Sequence, residues 1–224
     1  MVLGGIFGKT IGEPDSQRGK QKVRKALDDL MAYASEKRFE KKMEQARDYY
    51  YSKVGKVNED DPDFVQRMNT FLEWFIFDHR PDGEDTLSLF DLYLSEKLPN
   101  MQEDDVLTKL ALSRNYHSIF LVKACSRGVI HLKDLVGKNR YVVTEDDRLE
   151  PGDIIEARII QRDKGCFLSH THCLHPKDAY EPMMAELKKR KGIGMSQEVF
   201  FLLQKMQLKW RRFRQVKVKD IYKV

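Results

Sequence analysis

The strongest constraint on the fold is a series of five short apolar runs between residues 117 and 170. The runs are IFLV, VIHL, YVV, DIIEARII and CFLS, and the clusters CSRG, GKNR, EDDRLEPGD and RDKG separate them. Short β-branched and aromatic runs with Gly, Pro and Asp between them are typical of consecutive antiparallel strands. Five such strands are too few for a two-sheet sandwich, so the pattern predicts a small closed barrel of the SH3-like or OB-like kind.

The sequence on both sides of this barrel has the periodicity of helices. Between residues 20 and 54, where Gly and Pro are absent, apolar residues recur at steps of three and four. This spacing predicts one long amphipathic helix, or two helices joined near Arg38. Residues 64–77 are the most apolar part of the chain and predict a central, buried helix. Two shorter helices are expected between this helix and the barrel.

The predicted fold class is α+β, with a helical N-terminal region, a central five-stranded antiparallel barrel and two C-terminal helices. Four parts follow from these patterns: a flexible glycine-rich arm, a helical region, the barrel, and the C-terminal helices with a basic tail. The closing segment QVKVKDIYKV alternates apolar and charged residues and predicts either a terminal strand or a frayed tail. The boundaries are residues 1–15, 16–115, 116–175 and 176–224.

One segment resembles a known group of sequences. FLEWFIFDHRPDG, the helix LSLFDLYL and the barrel runs KDLVGKNRYVV and LEPGDIIEARII are similar to uncharacterised bacterial proteins in which an EWFxFD-type helix precedes a β-rich module. The resemblance covers roughly residues 60–180 and implies no known function. Some members of that group carry a C-terminal zinc motif of the CxCGSG type, which this sequence lacks, so the resemblance implies no metal site here.

Charge is strongly segregated along the chain, although the net charge is only +5. Residues 58–105 contain 14 acidic and 3 basic residues, whereas residues 183–224 contain 12 basic and 3 acidic residues. Either the two regions attract each other within the fold, or the basic end meets an external polyanion. The sequence has no apolar run of membrane-spanning length and no secretory signal, and it has three cysteines without a disulfide-framework spacing. These features predict a cytoplasmic protein with reduced thiols.

The basic C-terminus is the leading candidate for a functional surface. Lys and Arg neutralise phosphates, and aromatic side chains stack on unpaired bases, which favours RNA or single-stranded nucleic acid as a partner. The predicted binding residues are Lys205, Lys209, Trp210, Arg211, Arg212, Phe213, Arg214, Lys217 and Lys219. Basic residues of the barrel are expected to extend this surface, namely Lys123, Arg127, Lys138, Arg140, Arg158 and Arg162.

A second candidate is a metal site in the cluster Cys166, His170, His172, Cys173 and His175. Imidazole and thiolate are the natural ligands of zinc. In a strand, Cys173 and His175 share one face, while the other three residues share the opposite face. The proposed ligands are His170, His172 and His175, with zinc as the metal. The alternative is that the cysteines are small core residues.

The sequence predicts no enzyme and no catalytic residue. GxSxG, HExxH, P-loop and dinucleotide-binding motifs are absent, and no flanking motif supports Cys125 or Cys166 as a nucleophile. Glu73 and Asp78 are interpreted as parts of caps and turns. The predicted function is therefore non-enzymatic nucleic-acid binding. The alternatives are a protein partner that meets the acidic helices, around Asp60 or Asp104, or the long first helix, and a metal-binding role.

Overall fold

The computed structural model describes residues 9–12, 17–61, 63–80, 86–145, 149–189 and 196–223. Helices lie before and after a barrel of five strands. The predicted α+β class is confirmed, including the central barrel and the C-terminal helices. Among the helices in these ranges, none has the length and apolar character needed to cross a membrane.

Five helices of the described chain precede the barrel. A 3₁₀ turn at Lys37–Phe39 separates the first two, so the alternative of two helices joined near Arg38 is confirmed. The fourth helix begins at a capping box, in which Ser88 Oγ accepts a hydrogen bond from Asp91 N and the Asp91 carboxylate accepts one from Ser88 N. Their bounds are α1 Gln17–Ala34, α2 Glu40–Val54, α3 Phe64–Phe77, α4 Leu89–Lys97 and α5 Glu103–Ser113.

The barrel strands coincide with the five predicted apolar runs. Each strand pairs with its neighbour in antiparallel register, and a single parallel bridge between Val143 and Cys166 closes the sheet. A two-residue strand, β1, is added in parallel to the outer side of β4. The bounds are β1 Thr10–Ile11, β2 Tyr116–Ser126, β3 Val129–Asp134, β4 Arg140–Thr144, β5 Ile154–Arg162 and β6 Gly165–His175.

Strand β5 is covered on both of its faces. Ile155, Ala157 and Ile159 point into the barrel, where they pack with Phe120 and Leu168. The alternate residues of β5 therefore lie on the outer face of the barrel, beneath the helices. Arg158 sits there at a β-bulge, because the pairing with β6 shifts register between Ala157 and Ile159.

Two further cores lie on the outside of the barrel. One core contains residues of all five N-terminal helices, α1 through α5, together with Ile160, Phe167 and Phe201. Helix α3 contributes its apolar face to this core, as the composition of α3 predicts. The other joins Ile119 and Ile154 to the C-terminal helices. The barrel thus acts as a shared wall between two layers of helices.

Three helices follow the barrel in the described residues: α6 Tyr180–Lys189, α7 Gln197–Arg212 and α8 Val218–Ile221. The first two confirm the predicted C-terminal pair. The prediction of a terminal strand or frayed tail is wrong, because the closing segment forms a helical turn. Tyr222 explains the difference, since this residue is 2% exposed and its hydroxyl lies 2.9 Å from His175 Nδ1.

The N-terminal arm is described at residues 9–12, and its other residues lie outside the described ranges. The Lys9 carbonyl accepts a hydrogen bond from Arg140 N, and Thr10 and Ile11 pair with β4. Gly12 follows with a φ of +92°, and a Cβ at this position would lie 2.6 Å from the Val142 carbonyl oxygen. This part of the arm therefore lies against the barrel.

Candidate ligand cavity

A cavity of about 230 Å³ lies between the outer face of β5 and β6 and the helices α2, α3 and α7. It exists because α3 and α7 cover the outward-facing side chains of β5. A free-standing barrel would expose these side chains to water. The charged lining of the cavity consists of the carboxylates of Glu73, Asp78 and Glu156 and the guanidinium of Arg158. Half-buried His117 and other lining residues place part of the wall near solvent.

One wall of the cavity is aromatic. The ring centroid of Trp74 lies 5.1 Å from that of Tyr50 and 5.7 Å from that of Phe201, and the last two are 5.6 Å apart. Phe200 stacks on the His117 imidazole with 3.9 Å between ring centroids and 7° between planes. The indole Nε1 of Trp74 is buried and donates no hydrogen bond within the described residues. The cavity therefore offers several flat apolar faces.

Glu73 projects into the cavity from the most apolar helix of the chain. The residue is 5% exposed, and its Oε2 accepts a hydrogen bond of 2.9 Å from Ser169 Oγ. Oε1 is buried and has no hydrogen-bond partner among the described residues. Burial raises the pKa of Glu73 to about 7, although Arg158, the Ser169 hydroxyl and the Thr171 backbone N–H oppose the shift. The interpretation of Glu73 as part of a cap or turn is therefore wrong.

Arg158 reaches the same cavity from the bulge in β5. Its guanidinium binds Asp78, with 2.5 Å between Nη2 and Oδ2, and it also donates to the Asn115 side chain. It lies over the Phe77 ring, and its Nε is 3.8 Å from Glu73 Oε2. Its charge is therefore shared mainly with Asp78, at the end of α3, rather than with Glu73.

Glu156 anchors a chain of polar side chains across the cavity floor. Gln204 Nε2 donates to Glu156 Oε1, the Tyr50 hydroxyl donates to Gln204 Oε1, and His117 Nε2 lies 3.2 Å from Glu156 Oε1. Glu156 Oε2 takes no part in this chain; it lies 3.9 Å from His175 Nε2 and has no hydrogen-bond partner within the described residues. The two oxygens of Glu156 therefore face different surroundings.

Cys173 and His175 lie beside Glu156 on the outer face of the barrel. One donor atom from each of the three residues falls within 4.8 Å of the other two. Burial raises the pKa of the Cys173 thiol and lowers the pKa of His175 to about 4, which keeps the imidazole neutral near pH 7. The prediction that Cys173 and His175 share one face of a strand agrees with this arrangement.

The predicted histidine ligands are not brought together in this cluster. His170 points to α1, where its Nε2 is 2.9 Å from Asp28 Oδ1, and His172 lines the cavity. His175 is the one member of the predicted set that belongs to the Glu156, Cys173 and His175 group. Cys166 packs inside the barrel, as the core alternative expects.

The predicted nucleic-acid residues divide into two groups. Arg211 and Arg212 bind the acidic segment, with 2.8 Å from Arg211 Nε to Asp63 and 2.9 Å from Arg212 Nη2 to Asp61. Trp210 packs against the C-terminal core, and the Arg211 and Arg214 guanidiniums lie beside its ring. The residues left on the surface are Lys205, Lys209, Phe213, Arg214, Lys217 and Lys219.

The expected barrel surface needs one correction. Arg158 and Arg162 are 4% and 9% exposed, because helices cover the outer face of β5. Arg162 binds Asp104, which also binds Lys22, so this acidic residue of α5 is used within the fold. A protein partner at the acidic helices stays a prediction.

The cavity was missed because its polar residues lie inside apolar runs. Glu73 interrupts FLEWFIF, and Glu156 and Arg158 interrupt DIIEARII. A charged residue at a position that the helix or strand pattern would bury is the sequence signal that marks them. Their meeting point could not be read from the sequence, because Glu73 and Arg158 are far apart in the chain.

Comparisons with known proteins place the chain among uncharacterised relatives. A model described as a family of unknown function, DUF7986, matches residues 19–199. No curated protein and no solved structure matches the chain. The match agrees with the predicted resemblance to uncharacterised proteins and extends well beyond residues 60–180, while the bacterial origin and the EWFxFD feature stay predictions.

Proposed function

The chain belongs to DUF7986, a family of unknown function, and we propose that it is a binding protein whose cavity holds a small organic ammonium ion. The observation that carries the proposal is the buried carboxylate of Glu73, a residue that lines the aromatic cavity and whose Oε1 has no hydrogen-bond partner in the described residues. Leaving such an atom unsatisfied costs free energy, which a ligand that donates to it would recover.

Charge favours a cationic ligand over a neutral one. Three carboxylates and one guanidinium line the cavity, and Arg158 is already paired with Asp78. The rings of Trp74 and Phe201 add faces that attract cations, since aromatic quadrupoles are negative above and below the ring. An ammonium group would donate to Glu73, and its hydrocarbon part would lie against these rings.

The size of the cavity favours a small ligand. Its volume of about 230 Å³ lies below the roughly 300–1,000 Å³ of pockets that hold drug-sized molecules. A primary amine with a short alkyl or phenylalkyl group satisfies both this limit and the chemistry of the walls. The polar chain through Glu156, Gln204 and Tyr50 would fix the floor beneath it.

The test is isothermal titration calorimetry at pH 8 with butylamine and 2-phenylethylamine, each compared with the alcohol of the same shape. Both amines are protonated at this pH. We expect the amines to bind at least about tenfold more tightly than the alcohols, because a hydrogen bond to a charged group contributes about 1.5–3 kcal/mol. Equal affinity for amine and alcohol would contradict the proposal.

Glu73→Gln keeps the side-chain shape and removes the charge. We expect it to weaken amine binding by at least about tenfold, while Glu198→Gln, the same change on the exposed start of α7, leaves the affinity unchanged. For the unaltered chain, affinity should fall as the pH drops below about 7, because Glu73 then binds a proton. Burial sets this pKa, together with Arg158, the Ser169 hydroxyl and the Thr171 backbone N–H, which lower it, and Asp78, which raises it.

A second candidate function is single-stranded nucleic-acid binding at the C-terminal end, and the exposed lysines in α7, in α8 and just before α8 favour it. Phe213 lies beside them with 49% of its surface exposed, and it could stack on a base. Phosphate neutralisation by these lysines would give binding that weakens steeply with salt. The lysines are Lys205, Lys209, Lys217 and Lys219.

Fluorescence anisotropy with labelled single-stranded RNA would test this candidate. The double change of Lys209 and Lys219 to Ala should weaken binding and flatten its dependence on salt. The matched control changes Lys25 and Lys41, exposed lysines of α1 and α2, to Ala and alters the net charge equally. Equal losses in the two double variants would exclude a specific C-terminal surface.

A further inference from the structure

Three potential metal ligands meet beneath the cavity on the outer face of the barrel. They are brought together by strand register, because Glu156 of β5 lies opposite Cys173 of β6 and His175 follows two residues later on the same face. Their donor atoms lie within 4.8 Å of one another. The three residues are 2%, 9% and 1% exposed, so the group is enclosed by the helices rather than displayed on the surface.

Two of the three donor atoms face each other without a hydrogen bond. Glu156 Oε2 and His175 Nε2 are 3.9 Å apart, and both are buried without a hydrogen-bond partner among the described residues. His175 Nδ1 lies 2.9 Å from the Tyr222 hydroxyl. If Nδ1–H donates to Tyr222, the lone pair of Nε2 points toward the carboxylate. Two lone pairs facing each other in a buried site are destabilising unless a cation lies between them.

We propose that Glu156 Oε2, Cys173 Sγ and His175 Nε2 bind a divalent transition-metal ion, with zinc as the best match. Imidazole nitrogen, thiolate sulfur and carboxylate oxygen are the donor types that zinc accepts in proteins. The thiol releases its proton to water when the metal–sulfur bond forms, so the bound metal is balanced by one thiolate and one carboxylate. Glu156 forms no ion pair with Lys or Arg in the described part of the chain, and the metal would supply its counter-charge.

Tyr222 gives the site the outer support that histidine ligands usually have. A metal-bound imidazole commonly donates its second N–H to an oxygen, which fixes its tautomer and orientation. Tyr222 directly follows α8 and is 2% exposed, so the C-terminal turn closes the site from outside. This role explains why a charged, alternating segment ends the described fold as a docked turn.

The position of the ligands gives the site an open side. Glu156 and Cys173 both line the cavity, whereas His175 lies behind it. Three protein ligands with the fourth position free is the arrangement of zinc sites that accept water or a ligand. The metal site and the ammonium site share the cavity but no ligand atom, because the metal would bind Glu156 Oε2 and the ammonium group would bind Glu73.

Cobalt titration of the full-length chain, purified without a histidine tag and treated with a chelator, tests the proposal. We expect one equivalent of Co²⁺ to bind and to produce a thiolate-to-cobalt charge-transfer band in the near ultraviolet. Zinc added instead should be retained at one ion per chain after gel filtration, as measured by elemental mass spectrometry. Failure of the unaltered chain to show the band or to retain zinc would overturn the proposal.

Two cysteine variants provide a matched pair on one strand. Cys173→Ser should remove the charge-transfer band and weaken cobalt binding at least about tenfold, whereas Cys166→Ser, a buried cysteine inside the barrel, should keep both. A band that persists in Cys173→Ser would place the metal elsewhere. Glu73→Gln should leave the band intact, so loss of amine binding and loss of metal binding are distinguishable.

Discussion

At the scale of single residues, Glu73 places an ionisable group where the surrounding helix is apolar. Burial raises its pKa from 4.5 to about 7, so the folded chain holds this proton more tightly than the unfolded chain does. Its contribution to stability is therefore complete below about pH 4.5 and is lost as the pH rises to about 7. A pKa shift of this size changes the free energy of unfolding by on the order of 3 kcal/mol between these two pH values.

Glu73→Gln should remove this dependence on pH. We expect the variant to be more stable than the unaltered chain at pH 8 and to lose the advantage at pH 4.5, because the amide cannot ionise. Urea unfolding at both pH values gives the comparison, and Glu198→Gln on the surface of α7 serves as the control. A constant difference in unfolding free energy between the two pH values would show that Glu73 is not the titrating group.

At the scale of elements, Gly12 allows the chain that follows β1 to pack closely against the barrel. Its φ of +92° disfavours a side chain, and a Cβ would lie 2.6 Å from the Val142 carbonyl oxygen and 2.8 Å from Cys166 Sγ. We expect Gly12→Ala to lower the free energy of unfolding by about 2–4 kcal/mol, which combines the cost of a positive φ with that of the overlap. Urea denaturation followed by circular dichroism measures this loss.

Gly152→Ala separates the two causes. Gly152 has nearly the same φ, +91°, but the nearest atom to its Cβ position is Lys177 Cδ at 3.6 Å. We expect this variant to lose about 1–2 kcal/mol, from the backbone conformation alone. Equal losses in the two variants would show that β1 yields to the added methyl group and is not held tightly against the barrel.

The sequence predicted the elements better than it predicted their surroundings. Turn clusters between short apolar runs were sufficient for all five barrel strands, since both signals are local. The two-sided cover of β5 is not local, so Arg158 was assigned to an exposed surface. The prediction for the closing segment was wrong for the same reason, because the contact of Tyr222 with His175 overrides the strand-like alternation of this segment.

The residues of the candidate cavity could also be predicted one by one, but not the contacts between them. Glu73 is recognisable in sequence as a charged residue in an apolar helix, and the shared face of Cys173 and His175 follows from the period of a strand. Which of these residues meet depends on the register of β5 against β6 and on the helices above them. Neither is encoded by a local pattern.

At the scale of the whole molecule, the barrel and the helices share their cores. Ile160 and Phe167 of the barrel pack with the N-terminal helices, and Ile119 and Ile154 pack with the C-terminal helices. The N-terminal helical region and the C-terminal helices therefore have no cores that are independent of the barrel. We expect the chain to unfold in one cooperative transition, because neither helical layer can leave without exposing the barrel wall.

The two tryptophans allow this expectation to be tested layer by layer. Trp74 packs in the N-terminal helical core and Trp210 against the C-terminal core, so Trp74→Phe and Trp210→Phe each leave one reporter. Within each variant, the urea midpoint from fluorescence should equal the midpoint from far-ultraviolet circular dichroism. A fluorescence midpoint that precedes the other would show that one helical layer unfolds separately, which would contradict a single cooperative transition.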